Sequence, residues 1–311
     1  MKGPQLLSAR GLIRRFSPAV VSVGLRDRAA REGRAESSAD DPFSLGRIGS
    51  LEVRLAASPA EVRRAQAIRY QVFYQEMAAI ADLRAQHIRR DADAFDRVCD
   101  HLIVLDHASP RRGPLLRFRP ELVGTYRLLR QEIAERHAGF YTAGEYEVTP
   151  LVARSPQLRF LELGRSCVTE PYRTRRTVEL LWHGIWRYVL RHRVDVMIGC
   201  ASLPGTDPAQ LALPLSFLHH TALAPPEWRV HARGERRVEM NRMEPGQVDA
   251  RTALKVLPPL IKGYLRLGAF VGDGAVVDHQ FGTTDVCIVL PVSRIASRYV
   301  DHYGVDASRY S

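Results

Sequence analysis

Apolar residues alternate with polar ones, or form short unbroken runs, in six segments of this chain, and both patterns predict β-strands. A loop rich in proline and arginine over residues 107–120 separates the second segment from the third. The six segments are LEVRLA (51–56), HLIVLD (101–106), ELVGTYRLL (121–129), RFLELGRSCV (159–168), VDVMIGCAS (194–202) and DVCIVLPVS (285–293).

Between these segments, apolar residues recur every three or four positions, which predicts helices. The four clearest cover residues 58–77, 177–192, 207–223 and 257–269, and the third is expected to be interrupted at Pro214. The first begins with Ser-Pro-Ala-Glu, in which the serine is a candidate N-cap and the proline suits the first turn. The order of strands and helices predicts an α/β fold with a central sheet flanked by helices.

One strand carries a single carboxylate in an apolar run. Alternation places Phe160, Glu162 and Gly164 on one face of this strand, and Leu163 and Arg165 on the other. A buried glutamate is costly unless it has a partner. Two interpretations remain open: Glu162 forms an ion pair with an arginine, or burial raises its pKa and it accepts a proton.

The same strand leads into a basic turn and then a predicted helix. Arg173, Arg175 and Arg176 lie at this junction, where backbone amides and the helix dipole also favour an anion. The sequence therefore predicts an anion site at the start of the helix. The alternative is that these arginines are simply solvated side chains on a turn.

Composition divides the chain at about residue 50. Residues 1–50 are rich in arginine, alanine and serine and lack the apolar core of a secretory signal. We expect them to form a basic tail that is disordered or lies as an amphipathic helix on anionic lipid. Residues 51–240 are expected to form the globular core, and residues 241–311 an extension packed on it.

The chain is basic, with 45 lysines and arginines against 34 aspartates and glutamates, which favours an anionic partner. It shows no zinc-ligand spacing and no pattern typical of nucleic-acid readers, so neither a metal site nor a nucleic-acid partner is expected. Its four cysteines are far apart and suit a reducing compartment. We therefore expect a cytoplasmic protein that contacts the inner membrane through its basic tail.

The basic turn resembles a known phosphate-binding motif. The pattern V-x-x-P-Y-R-x-R-x-x-x-x-L-L over residues 168–181 resembles the pyrophosphate-binding turn of the GNAT acyltransferase superfamily. Thr174, Arg176 and Val178 stand where glycines are usual, which hinders close approach of the backbone to a pyrophosphate. The resemblance therefore implies a single phosphate, such as that of phosphopantetheine on an acyl carrier protein, bound by Arg173, Arg175 and Arg176.

Scattered polar residues resemble a branch of that superfamily, the acyl-homoserine-lactone synthases. The similarity covers one Arg-x-x-x-Phe pair, one pair of acids, a strand arginine and a Glu-x-x-Arg pair. In this chain the corresponding residues are Arg69 with Phe73, Asp93 with Asp96, Arg127, and Glu162 with Arg165.

Most of the chain after residue 50 resembles the bacterial L-ornithine Nα-acyltransferases. The stretches that carry the similarity include RYQVFYQEM, DADAFDRVCDHLIVLD, VGTYRLLR, FLELGRSCV, LLWHGIWRYV, IGCASLPGTD and LPPLIKGYLRLGA. The resemblance implies a GNAT-like fold with a mixed sheet and a C-terminal extension. It also implies transfer of a 3-hydroxyacyl chain from acyl carrier protein to the α-amine of L-ornithine, giving a lyso-ornithine lipid.

Such a reaction uses the acyl carrier protein thioester as co-substrate and needs no bound cofactor. It requires a neutral amine, a positioned carbonyl and a stabilised oxyanion. We assign Glu162 as the catalytic proton acceptor. Asp93 and Asp96 are assigned to the two ammonium groups of ornithine, with a solvated acidic turn as the alternative.

The remaining candidates are assigned to substrate binding. Arg69 or Arg127 is expected to hold the carboxylate of ornithine, unless it forms a salt bridge at the sheet edge. Arg165 is expected to pair with Glu162 or with Asp96. Phe73 is expected to line an acyl tunnel. Two other functions remain open: synthesis of acyl-homoserine lactones or other N-acyl amino acids, and membrane binding without catalysis.

Overall fold

The computed structural model describes residues 43–77, 79–112 and 118–295. Residues 1–42 of the predicted tail lie outside the described residues. Within the described part, nine strands form one sheet in the order β1-β2-β3-β4-β5-β6-β9-β8-β7. The strands are Ser44–Ile48 (β1), Leu51–Leu55 (β2), Asp100–Arg112 (β3), Phe118–Arg130 (β4), Phe160–Val168 (β5), Val196–Pro204 (β6), Arg237–Val238 (β7), Phe270–Asp278 (β8) and Thr283–Pro291 (β9).

Helices cover both faces of the sheet. A π-helical turn over Gln71–Glu76 extends the first helix, and two 3₁₀ turns, Ala94–Arg97 and Tyr141–Gly144, lie near the site described below. The α-helices are Pro59–Tyr70 (α1), Leu83–Ile88 (α2), Gln131–Ala134 (α3), Val148–Ala153 (α4), Arg175–His192 (α5), Ala212–Ala222 (α6), Ala250–Val256 (α7) and Pro259–Leu267 (α8). None of the described helices combines the length and apolar composition needed to cross a bilayer.

The two faces of the sheet bury separate cores. On β5, Leu161 and Leu163 pack with residues of α5, α6 and α8, while Phe160 packs on the opposite side with Tyr146 and Leu151. Helix α5 approaches β2 closely at Gly184, where an added Cβ would lie 2.6 Å from Val53 Cγ2.

The predicted α/β fold with a central mixed sheet is confirmed, since β5 and β6 are parallel and the other paired strands are antiparallel. The six predicted strands are present, but the predicted loop over 107–120 is too long, because β3 and β4 continue into it and pair at Arg111 and Arg119. Strand β1 falls within the segment assigned to the tail and pairs with β2, so the sheet begins before residue 50.

Two further differences have local causes. Strand β8 was not predicted, because Gly272, Asp273 and Gly274 interrupt its apolar pattern. The predicted interruption at Pro214 is wrong, because helix α6 begins at Ala212 and the proline lies in its first turn. Amides of a first turn have no partner within the helix, so a proline there loses no hydrogen bond.

The parallel strands β5 and β6 separate near their middle. They pair only from Phe160 to Glu162 on β5 and from Val196 to Ile198 on β6, although both strands continue beyond these residues. The sheet therefore opens at Glu162.

Candidate active site

Glu162 lies at the point where β5 and β6 separate, and only 5% of its surface is exposed. Its carboxylate accepts hydrogen bonds from the backbone amides of Tyr141 (2.8 Å) and Thr142 (2.6 Å) in the 3₁₀ turn that follows α3. Burial raises the pKa of Glu162 above its usual value of 4.5, although these hydrogen bonds and the charge of Arg127 oppose the rise. A raised pKa makes this carboxylate a better proton acceptor than an exposed glutamate.

A bulge in β5 brings Arg165 to the same side of the sheet as Glu162. Arg165 has a left-handed backbone (φ 50°), and the pairing of β4 with β5 shifts register between Thr125 and Arg127. Its guanidinium lies 4.9 Å from the ring centroid of Tyr141, whose amide binds Glu162. The predicted placement of Arg165 on the opposite face is therefore wrong, because alternation fails at the bulge.

Five of the sequence-predicted residues meet in one buried ion network, which also includes Asp91. Arg69 is fully buried, and its Nε lies 2.8 Å from Asp91 Oδ2 while its Nη2 lies 2.8 Å from Asp96 Oδ2. Arg127 binds Asp93 at 2.7 Å and approaches Asp96 at 3.4 Å. The network thus connects helix α1, the acidic 3₁₀ turn and strand β4.

Arg165 completes the network, with Nε 3.3 Å from Asp91 Oδ2 and Nη2 3.5 Å from Asp93 Oδ2. Each arginine therefore contacts two aspartates. Burial would raise the pKa of Asp96, but Arg69 and Arg127 hold it below its ordinary value. Asp96 is buried and accepts bonds from several donors, whereas the side chain of Asp93 keeps 27% of its surface exposed.

Phe73 joins this site through the C-terminal part of the chain. Its ring meets Phe281 edge to face at 5.8 Å, and the guanidinium of Arg165 lies 4.9 Å from the Phe281 ring centroid. Tyr74 also contacts Phe281, and its hydroxyl donates to Asp91 at 3.2 Å. The segment between β8 and β9 therefore forms one wall of the site.

Three buried carboxylates, two of them on the strands that flank this segment, were not predicted as site residues. Oxygens of Glu145, Asp278 and Asp285 all lie within 4.8 Å of one another, and Cys200 Sγ donates to Glu145 at 3.3 Å. Burial and the nearby Asp285 raise the pKa of Glu145 from 4.5 to about 7. We call this group the acid cluster. A proton or a cationic ligand would relieve the repulsion within it.

The three arginines of the basic turn lie apart from the buried network. Arg173 donates to the carbonyl of Val168 (2.9 Å) and pairs with Glu76, which ends the π-helical turn. Arg175 pairs with Glu179 one turn along α5, and the guanidinium of Arg176 lies beside Gly49. All three side chains are exposed at the start of α5.

The fold and the buried carboxylate at the strand separation define the class of protein. Residues 68–183 match the acetyltransferase (GNAT) domain family, and the chain is an acyltransferase.

More detailed similarity comes from curated relatives, each called L-ornithine N(alpha)-acyltransferase. The relative from Rhizobium meliloti (strain 1021) is 51% identical over 290 residues, which cover 93% of this chain and 96% of that protein. The relative from Agrobacterium fabrum (strain C58) is 53% identical over 276 residues, covering 89% and 92%. The relative from Rhodobacter capsulatus is 40% identical over 254 residues, covering 82% and 95%. This chain belongs to the family of bacterial L-ornithine Nα-acyltransferases.

Solved structures are more distant. A CoA-dependent acyl-homoserine lactone synthase, BjaI, is 13% identical with a TM-score of 0.41, covering 80% of this chain and 84% of its own. FeeM, an N-acyl amino acid synthase from uncultured soil microbes, is 10% identical with a TM-score of 0.40, covering 78% and 91%.

Proposed function

We propose that this enzyme transfers a 3-hydroxyacyl group from acyl carrier protein to the α-amine of L-ornithine, giving a lyso-ornithine lipid. The relatives are named for ornithine acylation at this nitrogen. The observation that carries the proposal is Glu162, a buried carboxylate with a raised pKa at the opening between β5 and β6.

In this proposal the α-amine attacks the thioester carbonyl carbon. A C–N bond forms, the C–S bond breaks and the thiol leaves with a proton. Glu162 accepts the proton that the attacking nitrogen loses, directly or through one water molecule. The amides of Tyr141 and Thr142 hold the carboxylate in position, while its burial raises the pKa and so favours proton transfer to it.

Ornithine presents one carboxylate and two amines, and the site offers groups for each. We place the carboxylate against Arg165, whose side chain is 15% exposed, because a guanidinium favours a two-pronged contact with a carboxylate; Arg127, 4% exposed, lies behind the surface of the network. Asp93 is the partly exposed aspartate and remains our candidate for the α-ammonium before it loses its proton. Asp96 and Arg69 are buried within the network, so we assign them to positioning Arg127 and Asp93.

We place the δ-ammonium at the acid cluster. Two observations support this position: the relatives are named for a dibasic amino acid, and three buried carboxylates lie together, two of them on the strands β8 and β9 that flank Phe281. A cation there would lower the cost of ionising Glu145. Phe73, which contacts Phe281, is proposed to border the acyl chain.

The donor is proposed to dock at the start of α5. Exposed guanidinium groups of Arg173, Arg175 and Arg176 are suited to the phosphate of phosphopantetheine and to an acidic carrier protein. Arg173 pairs with Glu76 and Arg175 pairs with Glu179, so the test changes the two arginines that belong to the helix itself, Arg175 and Arg176. Changing both to alanine should raise KM for the carrier-protein donor about tenfold and leave a short thioester donor unaffected. The matched control changes the exposed Arg63 and Arg266 to alanine.

The direct test supplies purified enzyme with 3-hydroxyacyl carrier protein and ornithine, and measures free thiol together with the mass of the product. We expect a product carrying one acyl group on the α-nitrogen. Parallel reactions contain the acyl-CoA donor, glycine or glutamine as acceptor, or adenosylmethionine. Turnover only with adenosylmethionine would contradict the proposal, as would acylation of glycine or glutamine in preference to ornithine.

A further inference from the structure

Exposed apolar side chains concentrate in one short segment beside the site. Met77 is 53% exposed, Ile80 68% and Leu83 84%; the first two lie in the connection from the π-helical turn to α2, and Leu83 is the first residue of α2. Exposed apolar groups scattered singly need no explanation, but a group of aliphatic side chains in one surface segment indicates a contact with another apolar surface.

Hydrogen bonds hold this segment in place. The amide of Ile80 donates to the carbonyl of Gln280 at 2.6 Å, and the amide of Ala79 donates to the carbonyl of Phe73 at 2.9 Å. Leu83 opens α2, where the side chain of Asp82 accepts from the amide of Ala85 at 2.6 Å. The apolar side chains are therefore presented outward by a fixed backbone.

Two exposed arginines lie in the same stretch of chain as these apolar side chains. Arg84 lies in α2 and Arg89 ends it, and both are exposed. Of the two acids in this stretch, Glu76 pairs with Arg173, while Asp82 caps α2 and keeps its charge, so the two arginines still outnumber it. Aliphatic groups beside unneutralised arginines match the two zones of an anionic bilayer surface: arginine binds the headgroups while aliphatic side chains enter the acyl boundary.

We propose that Met77, Ile80, Leu83, Arg84 and Arg89 form a surface that docks onto anionic lipid. We call it the docking loop. Its position supports this partner, because the same segment contacts the wall formed by Gln280 and Phe281. Docking here would bring the mouth of the site to the bilayer, where an amphiphilic product partitions; this last point rests on the proposed function.

The test is sedimentation of the full-length protein with vesicles. One set contains phosphatidylcholine alone, and the other contains about 30% phosphatidylglycerol. The apolar variant carries Ile80→Ser and Leu83→Ser, and the charge variant carries Arg84→Gln and Arg89→Asn, since asparagine tolerates the left-handed backbone at that position (φ 48°). The control variant carries Leu190→Ser and Val256→Ser, which are also exposed apolar residues.

We expect the unchanged protein and the control variant to bind the anionic vesicles in a salt-sensitive way. Each docking-loop variant should lose about tenfold in partition coefficient, because each lost cation or apolar group weakens interfacial binding. Equal binding by the apolar variant and the unchanged protein would overturn the proposal, and would assign any vesicle binding to another part of the chain. The proposal would also be overturned if the docking-loop variants bind vesicles normally but no longer bind acyl carrier protein. That result would favour an acidic protein as the partner of this surface.

Activity separates this proposal from the proposed function. With a water-soluble short-chain thioester, the apolar variant should turn over ornithine at the rate of the unchanged protein. If neither the unchanged protein nor any variant acylates ornithine, the proposed function fails. The docking-loop proposal still stands in that case if vesicle binding follows the expected pattern.

Discussion

Replacing Glu145 by glutamine tests the acid cluster through the pH dependence of stability. Burial and the neighbouring Asp285 raise the pKa of Glu145 to about 7 in the folded protein, against 4.5 for the free side chain. Between these two pH values the folded chain keeps a proton that the unfolded chain has lost. The free energy of unfolding therefore falls as pH rises from about 4.5 to about 7.

The size of this effect follows from the shift. Each pKa unit corresponds to about 1.4 kcal/mol, so ionising Glu145 costs the folded state about 3 kcal/mol by pH 8. For a protein of this size, that corresponds to roughly 5 to 10 °C in the melting temperature. The amide oxygen of glutamine can still accept the hydrogen bond that Cys200 donates to Glu145. Glu145→Gln should therefore remove this penalty and melt higher than the unchanged protein at pH 8.

Thermal melts at pH 5 and pH 8, followed by circular dichroism, measure this difference. The gap between Glu145→Gln and the unchanged protein should be small at pH 5 and large at pH 8. The exposed Glu227→Gln serves as the matched control and should follow the unchanged protein at both pH values. If Glu145→Gln lowers the melting temperature equally at both pH values, the carboxylate is not held in a destabilised ionised state and this reasoning is wrong. Adding ornithine at pH 8 should raise the melting temperature of the unchanged protein more than that of Glu145→Gln.

Three further predictions concern the network, the packing of α5 and the acceptor. Arg69→Met should cost about 3 to 5 kcal/mol in urea unfolding, because it leaves Asp91 and Asp96 buried without this partner; a loss below about 1 kcal/mol would show that the pairing contributes little. Gly184→Ala should destabilise the protein by about 1 to 3 kcal/mol, because the added Cβ would lie 2.6 Å from Val53 Cγ2. This loss should exceed the gain from the better helix propensity of alanine, and a stabilised variant would contradict the packing of α5 on β2. The same Glu145→Gln variant should raise KM for ornithine about tenfold with little change in kcat, and an unchanged KM would place the δ-ammonium elsewhere.

Much of the fold could be predicted because the buried strands and amphipathic helices keep a regular period. RFLELGRSCV forms β5 and the helix predicted over 177–192 lies within α5. Strand β8 could not be found this way, since the two glycines around Asp273 carry no apolar signal. Hydrophobic period alone therefore identified six of the nine strands in the described sheet and missed β1, β7 and β8.

The sequence identified several residues that the structure brings together, but not the geometry of their contacts. Asp93, Asp96 and Arg127 were all identified, yet their mutual pairing depends on how α1, the acidic turn and β4 pack together. The amides that hold Glu162 have no side-chain signature, so no sequence pattern marks them. The left-handed backbone of Arg165 places its side chain on the same side of the sheet as Glu162. The sequence could not show this, because strict alternation does not anticipate a bulge.

The acid cluster could not be anticipated for a different reason. Glu145 is distant in sequence from Asp278 and Asp285, and tertiary contacts such as the hydrogen bonds from the Tyr146 hydroxyl to the carbonyls of Gly274 and Asp285 bring the two parts of the chain together. Asp91 is the exception among the missed residues, since it stands in the same acidic run as Asp93 and Asp96.

The role of Glu162 is tested most directly by single-turnover release of free thiol from 3-hydroxyacyl carrier protein in the presence of ornithine, comparing Glu162→Gln with the unchanged enzyme. Far-UV circular dichroism establishes that the variant is folded. If Glu162 accepts the proton, the rate at pH 8 should fall about 10²- to 10⁴-fold, and the residual rate should lose the acidic limb of the pH profile. A folded variant that releases thiol within about threefold of the unchanged enzyme, with the same pH profile, would contradict the assignment of this buried carboxylate as the general base.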